Sequence, residues 1–128
     1  MTNERESSVL VVDDEPQVVW VLQFSLEAEG YRTLAATDGV EALEQIDEHH
    51  PKVMLLDIMM PEMDGWAVLE KLVALPPEQR PRVVVVSALS SGRDRAKAAE
   101  LGAAAFVPKP FNVDELLEVL HGVETAAS

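Results

Sequence analysis

Cysteine is absent from the 128 residues of this chain, which removes disulfide cross-links, thiolate catalysis and thiolate metal ligation together. A reducing compartment is compatible with that absence, and the chain is expected to be cytoplasmic. Basic side chains are also scarce, 10 Lys and Arg against 23 Asp and Glu, for a net charge of −13. Such a chain lacks the positive surface that displaces counterions from nucleic acid or adheres to an anionic membrane, so neither is expected as a direct partner. No apolar run approaches the roughly 20 residues that cross a bilayer, and residues 1–8 are polar and lack the apolar core of a secretory signal.

What is present is a set of short apolar runs, each ending in a residue with chemical purpose. Val9 to Val12 runs into Asp13 and Asp14, Val53 to Leu56 into Asp57, Val83 to Val86 into Ser87, and Ala105 to Pro108 into Lys109. Between them lie helix-length amphipathic segments, predicted over about 16–29, 38–49, 66–75, 93–101 and 112–123, with a further strand over 31–36. In the second helix Val40, Leu43 and Ile46 are spaced to face a core. Strand alternating with helix predicts an α/β domain with a doubly wound parallel sheet of five strands, helices covering both faces. Such sheets place their ligand crevice at the carboxyl ends of the strands. Three carboxylates, a hydroxyl and an ammonium are thereby expected to meet in one place, a set suited to a divalent cation and a phosphoryl group. The length fits one domain over 1–128, with a core over about 8–123 and flexible ends at 1–7 and 124–128.

Four motifs in this order and spacing resemble the receiver domains of two-component response regulators, including the single-domain chemotaxis type. They are Val11-Val12-Asp13-Asp14-Glu15, Leu55-Leu56-Asp57-Ile58-Met59-Met60-Pro61 with Gly65 beyond, Val86-Ser87-Ala88, and Lys109-Pro110-Phe111. The resemblance implies a flavodoxin-like fold with strand order 2-1-3-4-5. It implies that Asp57 accepts a phosphoryl group from a histidine kinase or histidine phosphotransfer protein. It also implies that Mg²⁺, for which Mn²⁺ substitutes, is held by Asp13, Asp14, Asp57 and the backbone carbonyl of Met59. Lys109 would pair with a phosphate oxygen, aimed by a proline neighbour that is cis in many relatives. Ser87 and Phe106 match the hydroxyl and the aromatic of the family's switch, and a downstream protein target is implied at the face of the fourth helix, fifth strand and fifth helix. Taken as an isolated pair, Asp13-Asp14 reads as a helix cap with a solvated neighbour, and the bland alternatives for Ser87 and Phe106 are a strand terminus and plain core.

Several further features bear on partners. In the first helix Val18, Val21, Leu22 and Ser25 share one face at 100° per residue, while Trp20 and Phe24 lie nearly opposite. Two aromatics four apart on an outer face suit docking of a partner helix, and in relatives this helix meets the kinase. His49 and His50 point apart at a helix end and are not expected to bind metal. Arg93, Arg95 and Lys97 read as a solvated helix face. Met59 and Leu89 stand where rapidly hydrolysing relatives carry polar groups, which predicts slow loss of the phosphoryl group.

Two other readings share these residues. A haloacid-dehalogenase-like phosphatase also uses an aspartate, Mg²⁺, a hydroxyl and a lysine, but needs Asp-x-Asp at its first strand, where this chain has Asp13-Asp14. The chain also suits the receiver portion of a longer regulator with a separate output domain. Regulators with winged-helix outputs carry an Asp pair near the fifth strand and a basic residue in the last helix for a symmetric dimer. This chain has Ala104-Ala105 and Glu118 in those places.

Overall fold

A computed structural model describes residues 8–125. In chain order these residues form β1 (Ser8–Val12), α1 (Pro16–Ala28), β2 (Arg32–Ala36), α2 (Gly39–His49), β3 (Val53–Leu56), α3 (Gly65–Val73), a short 3₁₀ turn (Pro77–Gln79), β4 (Arg82–Ser87), α4 (Gly92–Glu100), β5 (Ala105–Pro108) and α5 (Val113–Thr125). The strands make one parallel sheet in the order β2-β1-β3-β4-β5. This is the doubly wound, flavodoxin-like architecture expected. Residues 1–7 and 126–128, which include most of the expected flexible ends, lie outside the described residues.

Strand side chains alternate between two apolar layers, as a period of two dictates. Leu10, Val12, Met54, Leu56, Val83 and Val85 pack under α2, α3 and α4, whereas Val9, Val11, Val53, Leu55, Val84 and Val86 pack under α1 and α5. The central strands are buried on both faces, which is why they read as unbroken apolar runs. Each fully buried Val or Leu contributes about 1.5–3 kcal/mol of transfer free energy, so the strand ends are held on a rigid base.

The helix boundaries follow local chemistry. Asp38 caps α2 by accepting from Glu41 N at 2.8 Å, Asp64 caps α3 by accepting from Ala67 N at 3.0 Å, and Ser91 with Asp94 forms a reciprocal capping box on α4. Several expectations need correction. Helix α3, expected over about 66–75, runs from Gly65 to Val73 with Asp64 as its cap. Val40 is 47% exposed, because Gly39, Ala42 and Ile46 carry the buried stripe of α2 and turn Val40 outward. Val21 is 39% exposed, because Leu22 and Leu26 face the sheet from α1. Tyr31, expected in a strand, precedes β2 and is buried, its hydroxyl donating to Glu124 Oε1 at 2.9 Å. Glu124 lies within α5, which continues to Thr125.

Candidate functional site

Backbone hydrogen bonds that run beyond the strands fix the polar residues at their ends. Asp13 N donates to Ala36 O at 3.1 Å, Asp57 N to Val12 O at 3.0 Å and Lys109 N to Ser87 O at 3.0 Å. The parallel register therefore brings Asp13, Asp57, Ser87 and Lys109 to one edge, as expected. The Lys109–Pro110 peptide bond is cis.

Asp13, Asp14 and Asp57 each offer a carboxylate oxygen within 4.8 Å of the others. Asp13 and Asp57 are buried at 3% and 5% exposure, whereas Asp14 is exposed. Lys109 Nζ lies 2.8 Å from Asp13 Oδ2, 3.3 Å from Asp57 Oδ2 and 3.6 Å from Glu15 Oε1. Burial, then the charge of Asp13, pushes the Asp57 carboxyl above its ordinary value, against the charge and hydrogen bond of Lys109 and the Met59 N–H. Burial works against the charged Lys109, but its hydrogen bond and attraction to Asp13, and then those to Asp57, hold the ammonium above the usual lysine value. Asp57 Oδ1 accepts from Met59 N at 3.4 Å, and Asp13 Oδ1 accepts from Glu15 N at 2.9 Å.

This set has definite chemical capacity. Clustered carboxylates repel one another, and a hard divalent cation relieves that repulsion with the all-oxygen donors such ions prefer. The residues present thus fit Mg²⁺ or Mn²⁺. A fixed ammonium beside a buried carboxylate suits an anionic group arriving at Asp57.

Ser87 is fully buried, and its Oγ accepts from Leu89 N at 3.1 Å. Phe106 is half-buried on the layer beneath α4, paired in register with Val85. Trp20 and Phe24 are each 64% exposed and stack with ring centroids 5.4 Å apart and planes 11° from parallel. The outward pair expected on α1 is therefore present.

Sequence reading missed two contributors. Gly65 N donates to Ile58 O at 2.8 Å, and a Cβ at Gly65 would stand 2.6 Å from Asp57 O, so the α3 start is pressed against the backbone of Asp57 and Ile58. The glycine after the Asp64 cap was the available signal. The cations of α4 are not simply solvated, because Arg95 lies over the Phe106 ring and Lys97 over the Trp66 ring.

A parallel sheet with three carboxylates and a lysine at its C-terminal edge defines an α/β acidic-pocket protein. Residues 9–121 match the family model for the response regulator receiver domain, and the chain belongs to that family. It is 39% identical over 116 residues to the transcriptional regulatory protein KdpE of Mycobacterium tuberculosis, covering 88% of this chain and 49% of that protein. It is 36% identical over 128 residues to the probable transcriptional regulator ycf27 of Porphyridium aerugineum, covering 97% of this chain and 52% of that protein. The chain thus spans about half the length of the curated relatives it matches. The solved receiver domain of Francisella response regulator 1452 superimposes with a TM-score of 0.88 at 30% identity, covering 95% of this chain and 99% of that one. No helix among the described residues is long and apolar enough to cross a membrane.

Proposed function

We propose that this chain is a phosphorylatable switch that takes a phosphoryl group onto Asp57 from the phosphohistidine of a histidine kinase or phosphotransfer protein. The observation that carries this reading is the meeting of Asp57 with Asp13, Asp14 and Lys109 at one sheet edge. In the transfer a carboxylate oxygen of Asp57 bonds to phosphorus while the P–N bond breaks, and its electron pair leaves on the imidazole, which takes a proton from solvent.

A carboxylate attacks an anionic phosphoryl group poorly unless charge is neutralised around it. Asp13, Asp14, Asp57 and the Met59 carbonyl would hold Mg²⁺, which supplies that neutralisation when bound. Lys109 adds a fixed positive charge, and the apolar Met59 and Leu89 leave few groups to orient an attacking water. Ser87 and Phe106 form the switch, whose output is protein binding at the face of α4, β5 and α5. Turnover of a separate substrate is not part of this role. The reading places the chain in the cytoplasm, with no direct contact of its own to nucleic acid or membrane.

Mass spectrometry after exposure to acetyl phosphate tests the proposal. Wild type should gain one phosphoryl group only with Mg²⁺, and Asp57→Asn none. Uptake by the variant, or by wild type without metal, refutes the assignment, and steady turnover of p-nitrophenyl phosphate would favour a phosphatase. The stacked Trp20 and Phe24 serve kinase docking in this reading. Trp20→Ala should slow transfer from a cognate kinase but not from acetyl phosphate, and equal losses with both donors would end that idea.

A second reading, that the chain is the receiver portion of a longer regulator, is favoured by its covering only about half of its curated relatives. Ala104, Ala105 and Glu118 argue against the family's symmetric dimer in either case. Phosphorylation should therefore leave the sedimentation coefficient of the chain unchanged.

A further inference from the structure

Helix α4 is lightly anchored, since Ala98 is its one buried residue. Two of its cations also lie against rings on neighbouring elements. Lys97 Nζ lies 4.4 Å from the centroid of the Trp66 ring in α3, and the Arg95 guanidinium carbon lies 5.0 Å from that of Phe106 in β5.

Arg95 does more than cover a ring. Its Nε donates to the Ser90 carbonyl at 3.2 Å, on the loop between β4 and α4. That loop starts from Ser87, whose Oγ accepts from Leu89 N at 3.1 Å. One exposed side chain thus ties the Phe106 ring to the backbone segment that follows the Ser87 hydroxyl.

We propose that Arg95 is a brake on the switch, clamping Phe106 and the Ser87–Ser90 loop together in the resting arrangement. The inference rests on the phosphoacceptor reading. When the Ser87 hydroxyl donates to an oxygen of a phosphoryl group on Asp57, residues 88–90 are drawn with it. The Ser90 carbonyl then leaves Arg95, and the Phe106 ring is freed to turn inward. A contact made only in the resting state biases the equilibrium against the switched state, and a ligand that selects the switched state binds more weakly by the same factor. One exposed cation–π contact corresponds to about a threefold factor.

The test uses beryllium fluoride, a non-covalent phosphoryl analogue, titrated calorimetrically into the Mg²⁺-loaded chain. Arg95→Gln should tighten analogue binding about threefold while Mg²⁺ affinity alone stays unchanged, a split that general loosening of the fold would not produce. Arg95→Lys, which keeps a cation for the ring, should fall closer to wild type. Unchanged or weaker binding by Arg95→Gln overturns the brake. An equal gain from Lys97→Gln, which leaves the Phe106 to Ser90 link intact, overturns its assignment to Arg95. If wild type binds no analogue with Mg²⁺ present, the phosphoacceptor reading fails and this inference with it. Binding by wild type without the Arg95→Gln gain removes the brake alone.

Discussion

Lys109 leans on Asp13 more closely than on Asp57, with its Nζ 2.8 Å from Asp13 Oδ2 and 3.3 Å from Asp57 Oδ2. The ammonium therefore neutralises the same carboxylates that would hold a divalent cation, and the two positive charges compete. Lys109→Ala should bind Mg²⁺ more tightly than wild type in a calorimetric titration, because the pocket then carries one more uncompensated negative charge. The same variant should take phosphoryl from acetyl phosphate at least about tenfold more slowly, having lost a transition-state charge. Weaker Mg²⁺ binding by the variant would show that Lys109 organises the pocket rather than competing for it.

Burial, and then repulsion from Asp13, raises the Asp57 carboxyl, so the ionised pocket costs folding free energy when no cation is bound. Asp57→Asn should melt at a higher temperature than wild type in a chelating buffer. Mg²⁺ at about 100 times its dissociation constant should stabilise wild type by about 2.7 kcal/mol, and Asp57→Asn by less. Calorimetric melts with and without Mg²⁺ check both, and destabilisation by the asparagine would contradict the repulsion.

The close approach of Gly65 to Asp57 O makes this glycine a buttress of the acceptor loop. Gly65→Ala should destabilise the fold by about 1–3 kcal/mol, the usual range for overpacking, and should slow acetyl phosphate uptake beyond what the unfolded fraction explains. Urea unfolding and uptake rates measured on the same preparation separate the two effects.

In the proposed function the phosphoryl lifetime is expected to be set by Met59, 57% exposed, and Leu89, half-buried. Neither side chain offers a group to orient an attacking water. Phosphoryl loss after removal of acetyl phosphate should take minutes or longer, and Met59→Asn should shorten it. Decay within seconds in wild type would count against this account.

Tyr31 carries the clearest pH dependence. Its burial, then its hydrogen bond and proximity to Glu124, raise the hydroxyl above the ordinary tyrosine value, so the folded chain retains that proton longer than the unfolded chain does. Its contribution is complete below the unfolded value of about 10 and is lost as pH rises beyond it. Tyr31→Phe should be less stable than wild type by about 1 kcal/mol at neutral pH, and the gap should close above about pH 10. Urea denaturation across that range would reveal a pH-independent gap if the hydroxyl were not involved.

Apolar runs ending in Asp13, Asp57, Ser87 and Lys109 were legible because buried parallel strands leave an unbroken hydrophobic signature, and parallel register carries their ends to one edge. The outward stack of Trp20 and Phe24 was legible for a related reason, since helical angles follow from spacing alone. Val40 and Val21 were misplaced because two adjacent stripes on one helix satisfy the same apolar spacing, and only docking onto the sheet selects between them.

The sequence by itself determined the alternation of strands and helices and which polar residues sit at strand ends, because these depend on local propensity and period. Tertiary structure alone decided that Asp13 is buried and Asp14 exposed, that Lys109 bonds Asp13, that Gly65 abuts Asp57, and that Arg95 joins Phe106 to Ser90. Each of these joins residues on different elements, and such contacts are set by how packed layers orient side chains, which no local pattern encodes.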